Sequence, residues 1–139
     1  MKKRTPISEI MTAHVITLNK FDDLETAERL FKTWKIRHIP VVNGKQIIGM
    51  LSYTDLLRIS FADAIDENEY DVDTTVYNMF TIEQVMAKNL VSVPPTETIK
   101  EVAELLSKKE FHALPVVDNE ELVGIVTTTD LINYLIDQY

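Results

Sequence analysis

Ser52, Thr54 and Asp55 form a hydroxyl-x-hydroxyl-carboxylate cluster, and Thr127, Thr129 and Asp130 form a second with the same spacing. Each follows an apolar run that opens with glycine, Gly49-Met50-Leu51 and Gly124-Ile125-Val126, and each stands where a strand is expected to give way to a helix. Such a junction can hold two kinds of group. The first backbone N–H groups of a helix are unpaired at the positive end of its dipole, so they attract phosphate, and neighbouring hydroxyls add donors. A carboxylate at the same place accepts hydrogen bonds, which suits the paired 2′ and 3′ hydroxyls of a ribose. Phosphate and ribose together describe a nucleotide. Ser, Thr and Asp are also favoured N-cap and first-turn residues, so a purely stabilising role stands beside the binding one. Capping needs only one such residue, whereas the whole pattern appears twice, and the repetition favours a site.

The repetition extends well beyond the clusters. Pro40-Val41-Val42 returns as Pro115-Val116-Val117, Ile7 and Met11 align with Ile82 and Met86, and Leu30 and Leu56 align with Leu105 and Leu131, all at an offset of 75 residues. A period longer than those of solenoid repeats implies two similar folded units sharing a core. The repeat places the first unit in residues 1–62 and the second in residues 81–139, with an acidic linker over residues 63–80.

Within each copy the pattern reads β-α-β-β-α. Val15-Ile16-Thr17-Leu18 and Leu90-Val91-Ser92-Val93, rich in β-branched residues, are expected as strands. Leu24, Ala27, Leu30, Phe31 and Trp34 recur at helical spacing, as do Ile99, Val102, Ala103, Leu105 and Leu106. Asp22 and Asp23 suit the first helix's N-terminus, and Thr98 with Glu101 has capping-box spacing. Ile39 to Val42 and Gln46 to Leu51 predict a hairpin turning at Asn43-Gly44 with type I′ geometry, with Asp118-Asn119 in the corresponding place. The last helix of each copy is expected to begin near Asp55 and near Asp130. The apolar faces of either copy alone would be half exposed, so the two are expected to fold together.

The chain has 139 residues, 45% of them hydrophobic, and no cysteine, which removes disulfides, thiolate metal sites and cysteine nucleophiles. A formal net charge of −8 and a pI near 4.8 argue against nucleic acid as a partner, because neutralising phosphates along a strand needs a basic face. A phosphate-bearing small molecule stays compatible with the acidic average, since a few local donors suffice. Met1-Lys2-Lys3-Arg4 is followed by Thr5-Pro6-Ile7-Ser8-Glu9 where a signal peptide would be apolar, and no run approaches membrane-spanning length. The expectation is a soluble cytoplasmic protein with no membrane partner. His14, His38 and His112 fall at no metal-ligand spacing, and no Ser-His-Asp, paired-carboxylate or Walker-type arrangement appears, so neither a metal site nor catalysis is expected. Trp34 closes the helical stripe as a packing or subunit-contact residue. Between the copies, Asp63, Asp66, Glu67, Glu69, Asp71 and Asp73 stand without a basic residue. They read as a solvated linker or as an acidic docking face, and they lack the ligand set of a calcium loop.

The Pro-Val-Val strand, the Gly-h-h-Ser/Thr-x-Ser/Thr-Asp segment (h apolar) and the duplication together resemble the cystathionine β-synthase (CBS) domain, which occurs in tandem pairs called Bateman modules. The resemblance covers nearly the whole chain. It implies an α/β fold in which two β-α-β-β-α repeats pack with pseudo-twofold symmetry into one disc-like module, here a stand-alone pair, with two clefts between the repeats. Such clefts bind adenosine nucleotides (AMP, ADP or ATP), and less often S-adenosylmethionine or NAD. Carried over by position, Asp55 and Asp130 become ribose ligands, and Ser52, Thr54, Thr127 and Thr129 help to hold phosphate. Arg37 and His112, three positions before the proline of Pro-Val-Val, match the basic residue often found in nucleotide-binding members. Arg is a permanent bidentate donor, whereas His depends on its protonation. Ile16, Thr17, Ile36, Val91, Ser92 and Phe111 match positions that lie against the base. The resemblance further implies a regulatory ligand sensor, a homodimer built through exposed helices, and an effector protein of unknown identity. The alternative it leaves open is a dimerisation or scaffold module with empty clefts.

Overall fold

The structure is a computed structural model that describes residues 4–63, 77–109 and 111–139, with the side chains of residues 60–63 outside the description. The chain divides into two compact units, residues 16–89 and residues 1–15 together with 90–139. The boundaries drawn from the repeat follow the sequence, but the compact units do not. Each consists of most of one repeat completed by the leading segment of the other.

In the unit of residues 16–89, β1 (Leu18–Asn19) runs parallel to β2 (His38–Asn43), pairing Leu18 with Val41 and Asn19 with Val42. Between them α1 (Leu24–Trp34) is capped by Asp23, whose Oδ1 accepts from Thr26 N–H at 2.8 Å and from the Thr26 hydroxyl at 2.6 Å. Asp22 instead accepts from Asn19 N–H. The helix buries Leu24, Ala27 and Phe31 and half-buries Leu30, but Trp34 is 56% exposed. The apolar stripe therefore stops at Phe31, because Lys35 in the left-handed conformation turns the chain away one residue beyond Trp34.

β2 and β3 (Gln46–Ser52) form the expected antiparallel hairpin, with a register shift between Val41 and Val42. The turn lies one residue later than expected. Asn43 pairs with Gln46, leaving Gly44-Lys45 as the loop, and only Gly44 has positive φ (+67°). That is type II′ geometry, with glycine first. α2 (Tyr53–Asp63) follows directly, and after the undescribed residues a short α3 (Ile82–Val85) returns to this unit under a Thr81–Gln84 capping box. Leu18, Leu24, Phe31, Ile39, Val41, Leu51, Leu56, Tyr77, Ile82 and Met86 make its core.

The other unit repeats the plan. A 3-10 turn (Ile7–Glu9) buries Ile7 completely, and backbone bonds from Ile7 N–H to Glu97 O and from Ile99 N–H to Thr5 O tie this leading segment down. α4 (Ile99–Lys108) is capped by Thr98, which accepts from Glu101 N–H at 3.1 Å. β4 (Ala113–Asp118) and β5 (Glu121–Thr127) form the second hairpin, with its register shift between Val116 and Val117, and α5 (Thr128–Asp137) ends the unit. Its turn residues are Asn119 and Glu120, both at positive φ, so the type I′ turn occurs here rather than in the first copy. Ile7, Val93, Val102, Leu114, Val116 and Val126 form the core.

The leading strands are shorter than expected. Residues 15–17 lie outside the ladder, and of residues 90–93 only Val93 makes a bridge, parallel to Val116. Pro94 and Pro95 follow Val93 at once and have no N–H with which to extend the pairing. The glycines of the two motifs are where each leading segment docks. A Cβ on Gly49 would lie 2.2 Å from Met86 Sδ, and one on Gly124 would lie 2.5 Å from Met11 Sδ. Beside them, Met50 exchanges two backbone bonds with Ala87, as Ile125 does with Thr12. Most of the acidic stretch, including Asp66, Glu67, Glu69, Asp71 and Asp73, lies outside the described residues. Among those described, no helix is long and apolar enough to cross a membrane.

Candidate functional site

Each compact unit contains one hydroxyl-and-carboxylate corner, and the two are built alike. At the first, Ser52 ends β3 and Asp55 is the third residue of α2. Asp55 Oδ2 accepts from Ser52 N–H at 3.1 Å, and Asp55 N–H donates to Ser52 Oγ at 3.1 Å. At the second, Asp130 Oδ2 accepts from Thr127 N–H at 2.8 Å, and Asp130 N–H donates to Thr127 Oγ1 at 3.2 Å. Both aspartates thus complete reciprocal capping boxes.

Capping consumes more of the helix start than the sequence implies. The first helical N–H groups, of Tyr53 and Thr128, donate to the backbone oxygens of Arg37 and His112 at 2.8 and 3.0 Å. With the third N–H taken by Ser52 or Thr127, one remains at each corner. It belongs to Thr54 and to Thr129, which have no partner among the described residues and whose side chains are exposed. The unpaired set of four that an isolated helix would offer is therefore reduced to one.

What remains is compact. Each corner has one outward N–H and one outward threonine hydroxyl. Each also has a carboxylate whose Oδ1 is not used by the cap, and a basic residue whose backbone is bonded to the first residue of the helix. The side chains of Arg37 and His112 are exposed. Ile36 and Phe111, the residues just before them, are half-buried and packed against the cores of their units. Ile16 is half-buried, and Thr17, Val91 and Ser92 are exposed. Ile16, Thr17 and Ile36 belong to the unit of Asp55, and Val91, Ser92 and Phe111 to the unit of Asp130. Among the described residues no hydrogen bond ties Thr17 or Ser92 to a corner. Nor does any group of three or more His, Asp or Glu side chains there lie close enough to hold a metal ion. Together the parts can accept from two vicinal hydroxyls, donate to an anion and bring one cation beside it.

One participant escaped the sequence reasoning. Arg58 reaches back along α2, placing Nη1 3.7 Å from Asp55 Oδ1. The i,i+3 spacing from Asp55 was its only signal in the sequence.

The family model of the CBS domain matches the chain twice, at residues 7–62 and 82–137. The chain belongs to the CBS domain family. A homoserine O-acetyltransferase of Methanohalobium evestigatum is 28% identical over 97% of the chain, which spans only 25% of that enzyme's length. Among solved structures, the CBS domain pair of protein MJ0100 in complex with 5′-methylthioadenosine and S-adenosyl-L-methionine shares the fold. Its TM-score is 0.80 at 24% identity, covering 97% of this chain and 98% of that one. CBSX2 in complex with AMP gives a TM-score of 0.79 at 19% identity, with 96% and 97% covered. These likenesses show the expected α/β tandem CBS fold.

Proposed function

We propose that the chain is a regulatory module that senses adenosine nucleotides, AMP, ADP or ATP, through its two corners. Asp55 and Asp130 receive the ribose hydroxyls. Thr54 and Thr129, with Ser52 and Thr127 behind them, receive phosphate, and Arg37 and His112 neutralise it. Ile16, Thr17 and Ile36, and Val91, Ser92 and Phe111, flank the base. The observation that supports this most is the duplicated leftover: in both units the cap leaves unused an N–H, a hydroxyl and a carboxylate oxygen, in the same order, the oxygen facing Arg58 at the first corner and no described cation at the second. Two structural neighbours were solved with molecules that share an adenosine group, which agrees with that chemistry.

The family supports a regulatory role. A ligand moves a conformational equilibrium only through its different affinity for the two states, so binding would be read out as a change of shape or of assembly. We place the homodimer on the helices that expose apolar side chains, Leu57 on α2 and Ile132, Leu135 and Ile136 on α5. A dimerisation or scaffold module with empty corners is favoured by one observation, the completeness of both capping boxes.

Calorimetric titration of the purified chain, stripped of co-purified ligand, separates the two. AMP, ADP or ATP should saturate it, and Asp55→Ala and Asp130→Ala should each remove binding at one corner while circular dichroism stays unchanged. Absence of heat with all three nucleotides would leave the scaffold reading standing.

A further inference from the structure

The two corners share their hydroxyl-x-hydroxyl-carboxylate order, differ in the basic residue Arg37 or His112, and differ again one turn into their helices, where Arg58 stands in α2 and Asn133 in α5. In the first corner, Asp55 Oδ2 is engaged by Ser52 N–H, and Arg58 Nη1 lies 3.7 Å from the other oxygen, Oδ1. That is the oxygen a ribose hydroxyl needs. In the second corner, Asp130 Oδ2 is engaged by Thr127 N–H, and no cation pairs with Asp130 among the described residues.

We propose that Arg58 makes the corners unequal: it competes with ribose for Asp55 Oδ1, so that an adenosine group fills the Asp130 corner first. Arg58 is then a specificity-determining residue that sets the threshold of the second binding event. This rests on the ribose role of the aspartates argued above. The Arg58 side chain is 76% exposed and that of Asp55 22% exposed, so the competition is mild and is screened by salt. A pair of this kind shifts affinity by roughly two- to fivefold, about 0.4–1 kcal/mol. The result is graded occupancy from one chain: one corner responds at low ligand concentration and the other somewhat above it. Arginine also fits a second role, that of a phosphate donor, and that role predicts the opposite sign.

Adenosine itself separates them, because it has the ribose and no phosphate. The experiment is isothermal titration of the full chain with adenosine. Asp130→Ala isolates the Asp55 corner, with and without Arg58→Gln, and Asp55→Ala isolates the other, with and without Asn133→Arg. At about 20 mM salt Arg58→Gln should tighten binding two- to fivefold, Asn133→Arg should weaken it by a similar factor, and both differences should shrink by about 0.5 M salt. The Asp130 corner with its native Asn133 should be insensitive to salt. Unchanged or weaker adenosine binding in Arg58→Gln overturns the proposal, as does a salt-independent difference. If the wild-type chain and every variant fail to bind adenosine and AMP, the ribose reading falls with it. If the wild type binds, and each Asp→Ala variant loses its corner, while Arg58→Gln changes nothing, only this inference falls.

Discussion

Gly49→Ala tests the exchange of leading segments most directly. The added Cβ would lie 2.2 Å from Met86 Sδ, 2.8 Å from Cγ and 2.9 Å from Cε, where relaxed carbon contacts sit at about 3.5–4.0 Å. All three atoms belong to one flexible side chain, so Met86 can swing aside while the backbone stays. That places the cost at the lower end of overpacking, about 1–2 kcal/mol. Met86 is 8% exposed and belongs to the core of residues 16–89, so Met86→Ala alone costs about 2–3 kcal/mol. In that background the three nearest atoms, all of Met86, are gone, and Gly49→Ala should become nearly neutral. The two substitutions are therefore non-additive by the full cost of the first, about 1–2 kcal/mol.

Urea unfolding followed by tryptophan fluorescence is a suitable assay. The chain has one tryptophan, Trp34, and it lies in the same unit as Gly49 and Met86. The single Gly49 variant should lower the midpoint by roughly 0.5–1 M, and the double variant should match Met86→Ala alone. The Gly124 cycle should behave differently. A Cβ there meets Met11 Sδ at 2.5 Å but also the backbone oxygen of Thr12 at 3.0 Å, which already accepts from Ile125 N–H and cannot rotate away. Met11→Ala should thus rescue Gly124→Ala only in part. Strict additivity in the Gly49 cycle would show that Met86 does not rest on that glycine.

Four further outcomes are expected. Glu120→Gly should stabilise the chain by about 0.5–1 kcal/mol in urea unfolding, because Glu120 holds φ at +67°, at the place where a type I′ turn prefers glycine. Asp23→Ala should cost about 1 kcal/mol, since it removes the cap to Thr26. Burial opposes the charge of Glu28, but hydrogen bonds from Lys32 and Tyr77 and the Lys32 charge outweigh it and hold the carboxyl below its ordinary value. A lowered folded-state value contributes stability above the unfolded value and loses it as pH falls through the folded one, so Tyr77→Phe should move acid unfolding to higher pH. In the Asp55→Ala background, which leaves the Asp130 corner, His112→Ala should weaken AMP while leaving adenosine affinity unchanged in calorimetric titration, because only AMP carries the phosphate that His112 is placed to meet.

The helices and hairpins were legible because they are long enough to show their period. Leu24, Ala27 and Phe31 fall on the buried face read from spacing, and the hairpins occur where β-branched runs flank Asn43-Gly44 and Asp118-Asn119. The hairpin turns slipped by one residue, since Asn43 and Asp118 pair across the ladder and pass the loop to the next two positions. The leading segments were illegible in a deeper sense. Ile7–Glu9 and Ile82–Val85 are too short for periodicity, and nothing local to Met11 or Met86 says that each docks on a glycine more than thirty residues away in the chain. At the corners, residue types and order were readable. How far the caps consume them was not, because that depends on which carbonyl the first helical N–H meets.

That consumption is what separates stability from binding in the motif. The glycine of each Gly-h-h-Ser/Thr-x-Ser/Thr-Asp segment is explained by the methionine that lies on it. Its first hydroxyl and one oxygen of its carboxylate are explained by the capping box. A fold selected for packing alone has no further use for Thr54 or Thr129: both are exposed, and neither engages a described neighbour through its side chain or its N–H. Their appearance in both units, each beside a carboxylate oxygen the cap does not use and one residue beyond the N–H held by Arg37 or His112, is the part of the pattern that packing leaves over. Replacing either threonine with alanine should therefore leave urea stability within about 0.5 kcal/mol, as for other exposed sites, while weakening AMP more than adenosine at its own corner.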